Sequence, residues 1–292
     1  MRVCVVANPS AGNADALERL EALRPVTVWR ASDAQATATL AERAAREGFD
    51  RIVAAGGDGT VARVVAGLGP WRERVVLGLL PLGTGNDLAR TLGLPPDPLA
   101  ALDLALGGGA ERRLDLIEVR VGGGAPRLCV NAAQGGFSGQ VDEGLDEETK
   151  AAWGPLAYVR AALSTLPDLT AYAVTLALDD AAPERLDAVN VVVANGKTVG
   201  GGVRVAPDAD PGDGLLDVVV VRAGSALALA GVGARLVAGN VLASDLVVHR
   251  RARRVRLSAR PTMPFNADGD LLPPGDLDLV VLPGALRVVS GE

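Results

Sequence analysis

The sequence predicts an α/β N-terminal domain with a parallel sheet, followed by a mostly antiparallel β-sandwich C-terminal domain. Three observations carry this. The chain has 292 residues of which 49% are hydrophobic, enough for two ordinary cores. Its first 120 residues alternate short β-branched runs with longer alanine-rich segments, the pattern of strands joined by crossover helices. After Arg112 the texture changes to strands separated by Gly, Pro and Asp turns.

In the first half, strands are expected at Val3 to Ala7, Val26 to Trp29, Arg51 to Ala55 and Val75 to Leu80. Helices are expected at Ala14 to Leu23, Ala34 to Glu47 and Thr60 to Leu68, each ending near a Gly or Pro that can stop it. In the second half the strand candidates are Leu114 to Val121, Arg127 to Asn131, Ala173 to Leu178, Val189 to Ala194, Leu216 to Val221 and Val255 to Ser258. The glycine runs Gly107 to Gly109 and Gly122 to Gly124 bracket a boundary near residue 120.

A formal net charge of −6 argues against nucleic acid as a partner, because duplex affinity rests on clustered cations that neutralise phosphates. Only two of the 29 basic residues are lysines, Lys150 and Lys197, so no lysine in the first half can grip a phosphate. Cys4 and Cys129 have no paired spacing for zinc or a disulfide framework and read as small buried hydrophobes. The single histidine, His249, leaves nucleophilic triads little to stand on, and catalysis falls to carboxylates. The opening RVCVVAN lacks the pattern of a signal peptide, which makes the cytoplasm the expected compartment. Ser225 to Ser244 is apolar and nearly long enough to span a bilayer. Arg235 at its centre would cost about 2.5 to 3.5 kcal/mol on insertion, so a packed soluble helix is expected.

The sharpest chemical signal is Ala54-Ala-Gly-Gly-Asp-Gly-Thr60, coming off a strand and entering a helix. Gly56, Gly57 and Gly59 let the backbone turn and approach an anionic ligand, and the helix N-terminus favours phosphate. Asp58 in such a loop requires an intervening cation, and Mg²⁺ suits one or two carboxylates plus phosphate oxygens. A second strand-to-helix loop, Pro81-Leu-Gly-Thr-Gly-Asn-Asp-Leu-Ala-Arg90, and a third, Asn8-Pro-Ser-Ala-Gly12, would open onto the same sheet edge, where α/β folds place ligands. Two decoys are excluded. Asn195-Gly-Lys-Thr198 has Val191 where a Walker loop needs glycine, and Gly83-Thr84-Gly85 meets Leu88 where a dinucleotide fingerprint needs glycine.

NPSAG, GGDGT and LGTGNDLAR in this order resemble the diacylglycerol kinase catalytic family, which includes bacterial lipid kinases and sphingosine kinases. The resemblance continues through Asn195-Gly196, Gly200 to Gly202, Ala206-Pro-Asp-Ala209, Asp213-Gly-Leu-Leu-Asp217 and Asp268-Gly-Asp270, covering nearly the whole chain. Two departures stand out. Ala62 and Arg63 occupy positions where the family carries Asn and Glu, and the family's DGE is DGD here, ending in Asp270.

The resemblance implies an ATP-binding domain over residues 1–120, with 283–292 returning to it, and a lipid-substrate domain over 121–282. ATP would lie across Asn8, Ser10, Gly12, Gly56, Gly57, Asp58, Gly59, Thr60, Gly83, Thr84 and Asn86. Asp58, Asp87 and Asp115 would hold Mg²⁺ directly or through water. Asp268 would accept the proton of a lipid hydroxyl attacking the γ-phosphate, assisted by Asp270. A structural Mg²⁺ is implied at Asp210 and Asp213 with the Leu215 carbonyl. The partners implied are a lipid substrate at a membrane surface, approached by a cytoplasmic, peripherally associated enzyme, with a homodimer as the alternative to a monomer. Arg250 to Arg256 reads either as a site for anionic headgroups or as a solvated strand face. The acidic run Asp142 to Glu148 reads as an exposed helix or lid. The other functional readings are a kinase with a soluble acceptor, resembling NAD kinases or phosphofructokinases, and an inactive regulatory module of the same fold.

Overall fold

The computed structural model describes residues 1–8, 17, 26–137 and 170–291. Ser10, Gly12, the helix expected at Ala14 to Leu23 (save Leu17) and the run Asp142 to Glu148 lie outside the described residues. The chain divides into two compact units, Met1–Asp115 with Gly284–Glu292, and Leu116–Pro283.

In the first unit the β-branched runs form β1 (Val3–Ala7), β2 (Thr27–Arg30), β3 (Arg51–Gly56) and β4 (Val76–Pro81), paired in parallel in the order β2-β1-β3-β4. β3 and β4 are buried at every position, as parallel strands are when both faces are covered. α1 (Ala34–Arg46) joins β2 to β3, and α2 (Asp58–Leu68) joins β3 to β4. α1 starts where the Asp33 carboxylate accepts the Ala36 N–H at 2.7 Å, satisfying one of the helix's orphan donors. Its buried stripe of Thr37, Ala41, Ala44 and Ala45 has helical spacing. α1 and α2 approach so closely that a Cβ on Gly67 would stand 2.1 Å from the Ala38 carbonyl oxygen. Two short helices follow β4: α3 (Asp87–Thr91) and α4 (Pro98–Asp103), the latter capped by Asp97.

The chain leaves this unit along β5 (Ala110–Val121) and returns along β17 (Leu277–Ser290), whose end lies parallel to β4 with Arg287 opposite Val76. Arg51, only 3% exposed, donates to the Ala105 carbonyl at 2.7 Å and pairs with Glu111, which also binds Arg287 at 2.7 Å.

The second unit contains β6 (Arg127–Cys129), β7 (Ala132–Gly136), β8 (Tyr172–Leu178), β9 (Glu184–Ala194), β10 (Thr198–Val199), β11 (Val203–Arg204), β12 (Leu216–Arg222), β13 (Val247–Ala252), β14 (Arg254–Arg260), β15 (Phe265–Ala267) and β16 (Asp270–Leu271). Long β9 organises it. Its first half pairs antiparallel with β8, its second half with β7, and β12 lies along its other edge. β14 joins β8 to β17, and β15 joins β7 to β16. Alternate residues feed two apolar layers, one holding Val191, Val193 and Phe265, the other Val192, Ala194 and Val219. α5 (Ala226–Val237) covers Ser225 to Ser244 only in part, and no described helix is long and apolar enough to cross a membrane.

The strand expected at Arg127 to Asn131 is split. Pairing stops at Cys129 and resumes at Ala132, because the amides of Val130 and Asn131 turn to the Asp268 carboxylate. β7, AAQGG, carries no β-branched residue and forms a strand through its neighbours. A Cβ on Gly135 would lie 2.5 Å from the Phe265 ring, so glycine there lets that ring lie against the strand.

Replacing Gly67 by alanine is expected to destabilise the protein. Helix propensity gains about 0.5 to 1 kcal/mol, while forcing α1 from α2 costs about 1 to 3 kcal/mol. A lower midpoint in urea unfolding is the expected result.

Candidate active site

The two glycine loops follow β3 and β4, neighbours in the sheet, and they touch. A Cβ on Gly83 would stand 2.5 Å from the Gly57 Cα, so that position must be glycine for the loops to meet, while a Cβ on Gly57 would lie a tight 3.2 Å from the Gly83 Cα. Asn86 takes a left-handed conformation (φ 51) and closes the second loop on itself. Its Oδ1 accepts the Gly83 N–H at 3.1 Å and its Nδ2 donates to the Gly83 carbonyl at 2.6 Å.

Asp58 locks one loop to the other. It stands in the first turn of α2, and its carboxylate accepts the N–H groups of Asp87 at 3.1 Å and Leu88 at 3.2 Å, in the first turn of α3. Two helix N-termini therefore converge on one carboxylate, with Asp87 buried beside it. Thr60 is buried beneath, its hydroxyl accepting from Asn8 Nδ2 at 3.5 Å. Asn8, Gly56, Gly57, Asp58, Thr60, Gly83, Asn86 and Asp87 are thus joined at one sheet edge, while Gly59 and Thr84 stand exposed on the two loops. Gly56, Gly57, Asp58 and Asn86 line a small open cleft with Val61, Leu79, Pro81 and Ala89. The apolar members of that wall read as ordinary core in the sequence. Asp115 is 1% exposed, and its Oδ1 accepts the Gly284 N–H at 2.6 Å, tying β5 to the returning strand.

Among the described residues no three His, Cys, Asp or Glu side chains gather as a metal-binding group. Asp58 and Asp87 are a pair, and Mg²⁺ commonly takes one or two carboxylates, with phosphate oxygens and water completing its shell. The residues fit Mg²⁺ held jointly with a phosphorylated ligand.

In the second unit Asp268 occupies a left-handed turn (φ 49) before Gly269 (φ 86). Its own N–H bonds the Ala132 carbonyl at 3.0 Å. Oδ1 accepts the amides of Asn131 at 2.9 Å and Ala132 at 3.3 Å and the Cys129 thiol at 3.3 Å; Oδ2 takes one donor, the Val130 amide at 2.6 Å. Burial pushes the Asp268 carboxyl above its ordinary value, and these donors oppose the rise. Burial, reinforced by the Asp268 charge, pushes the Cys129 thiol well up, while Cys4 is pushed up to about 12 by burial. Neither thiol is a nucleophile at neutral pH. Asn195, from the excluded Walker decoy, braces the same turn: its Nδ2 donates to the Val130 carbonyl and its N–H to that of Asn131, both at 2.8 Å. Backbone amides have no side-chain signature, so this cradle was not legible in the sequence. Nor was the ion pair of Asp270 with Arg127 at 3.2 Å.

Asp210 and Asp213 stand in a loop before β12, where Asp210 accepts the Gly212 N–H at 3.1 Å and Asp213 the Leu215 N–H at 3.0 Å. Asp213 also pairs with Arg251, which reaches Asp217 at 3.7 Å. His249 contacts Asp217 at 2.6 Å. Burial raises the Asp217 carboxyl against the lowering effect of His249. In the run Arg250 to Arg256, Arg254 is engaged by Asp278 through two contacts, at 2.8 and 2.6 Å.

The fold class these units define is that of diacylglycerol and NAD kinases, an α/β unit joined to a β-sandwich. A crystal structure of a diacylglycerol kinase from Bacillus anthracis str. Sterne superposes with a TM-score of 0.74 at 21% identity, over 99% of this chain and 97% of that one. An NAD kinase from Archaeoglobus fulgidus in complex with ATP shares the fold at a TM-score of 0.54 and 18% identity, over 100% of this chain and 94% of the other. The diacylglycerol kinase catalytic domain model matches residues 2–119, and the YegS C-terminal NAD kinase beta sandwich-like domain model matches 131–290. The protein named "Probable lipid kinase YegS-like" from Pseudomonas fluorescens is 36% identical over 89% of this chain and 83% of its own length. The "Diacylglycerol kinase" of Bacillus subtilis is 30% identical over 92% of this chain and 89% of its own length. The chain belongs to this family of YegS-like and diacylglycerol lipid kinases.

Two outcomes follow from the geometry. Gly83→Ala is expected to separate the loops, with a loss of stability of about 1 to 3 kcal/mol read as a lower midpoint in urea unfolding. Cys129→Ala removes a donor that lowers the Asp268 pKa, so Asp268 is expected to titrate at still higher pH, followed by carboxyl NMR. Because the folded pKa lies above the unfolded one, this group's stabilising contribution is full below the unfolded pKa and is lost as pH rises through the folded pKa. The variant is therefore expected to lose more stability at neutral pH than near pH 4.

Proposed function

We propose that the chain is an ATP-dependent lipid kinase that transfers the γ-phosphate of Mg-ATP to a hydroxyl of diacylglycerol or a related lipid. The observation that carries this reading is the Asp58 carboxylate drawing two glycine loops and two helix N-termini together over a cleft. The cleft is small and lies against the glycine loops, where the phosphate end of a nucleotide would sit. Gly57, Gly59 and Gly83 allow backbone amides to approach phosphate oxygens closely. Asn8, Ser10, Gly12, Gly56, Thr60, Thr84 and Asn86 would complete the nucleotide's surroundings.

Asp58 and Asp87 would hold Mg²⁺, with Asp115 contributing directly or through water. When bound, the ion would neutralise charge on the transferring phosphate. A second, structural Mg²⁺ would involve Asp210, Asp213 and the Leu215 carbonyl, with Arg251 giving up its hold on Asp213.

Asp268 takes the proton of the attacking hydroxyl in this reading. Oδ2, with its single donor, is the accepting atom, and Oδ1 is anchored by the turn. Burial raises its proton affinity, which makes it a stronger base than an exposed aspartate. Asp270, oriented by Arg127, assists. The enzyme would act peripherally at the cytoplasmic membrane surface where its acceptor resides, as a monomer or homodimer.

The test is transfer of labelled γ-phosphate from Mg-ATP onto a total lipid extract, resolved on thin-layer plates, for wild type, Asp58→Asn and Asp268→Ala. A labelled lipid is expected with wild type, falling about 10²-fold or more in each variant. Folded, ATP-binding wild type that labels only a soluble acceptor would favour an NAD kinase-like activity. No transfer to any acceptor would favour a regulatory module, for which Ala62 and Arg63 would be the first residues to revert.

A further inference from the structure

Helix α5 is apolar all round except for Arg235, and yet it lies at the surface of its unit. Leu229 and Val232 are buried, whereas Leu227 is 85% exposed and Val237 55%. Those two are among only five large hydrophobics exposed in the described residues. At 3.6 residues per turn, Leu227, Gly231, Ala234 and Ala238 share one line facing away from Leu229 and Leu236, with Val237 and Arg235 roughly 80° to either side. A surface helix ordinarily sets charge opposite its buried stripe, and a helix apolar all round is ordinarily covered by core or membrane.

The charge close to the helix is cationic on balance. Residues 222–245 hold Arg222 and Arg235 against the single acid Asp245, and the Arg204 side chain lies beside Gly239 at the end of the helix, in a chain whose net charge is −6. Arg222 and Arg235 are exposed. An apolar face in a locally cationic stretch complements an anionic bilayer, where arginine keeps its head among phosphates while its stem lies along the apolar boundary. A second copy of the chain is a poor match in area. Twelve residues span about 18 Å, and one face about 10 Å wide offers about 180 Å², against about 800 Å² per partner in a stable dimer.

We propose that α5 docks the protein on anionic lipid surfaces, lying in the plane of the interface with Leu227 and Val237 at the acyl boundary and Arg222 and Arg235 among the headgroups. The reading rests on the lipid kinase proposal in that the acceptor lies in a bilayer.

The experiment is co-sedimentation of the full chain with phosphatidylcholine vesicles, with and without phosphatidylglycerol. Leu227→Glu is expected to weaken binding about tenfold or more without lowering the melting temperature, and Leu227→Trp to strengthen it. Arg235→Glu is expected to weaken binding only to anionic vesicles, an effect that disappears at high salt. With labelled ATP, Leu227→Glu should lose turnover on vesicle-borne acceptor and keep it on a short-chain acceptor in detergent micelles. Wild-type-like sedimentation of Leu227→Glu would overturn the proposal. So would a fall in its melting temperature, which would mean that the protein itself covers the face, or a wild-type dimer that this variant dissociates. If wild type labels no lipid in either format while Leu227→Glu still loses vesicle binding, the kinase reading fails and the docking stands. If lipid is labelled equally by both proteins in both formats, the docking fails and the kinase reading stands.

Discussion

The Asp58 carboxylate bonded to the amides of Asp87 and Leu88 is the contact on which the first unit's chemistry depends. It joins the loop after β3 to the loop after β4, and it depends on Gly83 having no side chain to hold the backbones apart. An anion at two helix N-termini is electrostatically favoured. In the proposed reading the same field would draw in a phosphate, and the carboxylate already present there would call for a cation between the two negative groups. Structural anchoring and ligand chemistry would then share one side chain.

Asp268 shows the same economy in the second unit. Its carboxylate interrupts what would be a continuous strand by taking the amides of Val130 and Asn131, and the left-handed turn that presents it is closed by its own N–H on Ala132. Burial disfavours the charge and the donors favour it. The balance leaves a half-buried carboxylate with raised proton affinity, its Oδ1 saturated by donors and its Oδ2 less so. A carboxylate held this rigidly would need little reorganisation in the base role proposed for it.

The elements that carry these groups are unequal in how they are stabilised. β3 and β4 are buried throughout and rest on apolar packing. β7 has little packing propensity of its own and owes its form to β9 and β15, which supply its hydrogen-bonding partners on both edges. α5 stands apart, because Leu227 and Val237 are left uncovered by its own unit.

Local patterns in the sequence were enough to establish the α/β half, the switch to antiparallel strands, and the loops at Gly56 to Thr60 and Gly83 to Asn86. Strand periodicity, helix caps and glycine punctuation act over a few residues, so they are visible without knowledge of the fold. The motif order likewise pointed to the family. Only the tertiary structure decided that Asp58 bonds to residues about thirty positions away, that Val130 to Ala132 cradle Asp268, and that Asn195 braces the cradle. These contacts are made by backbone amides or join residues distant in sequence, and neither kind leaves a mark on composition or spacing. The same holds for α5. Its apolar character was plain in the sequence, but which of its faces would be left exposed depended on the surface against which it packs.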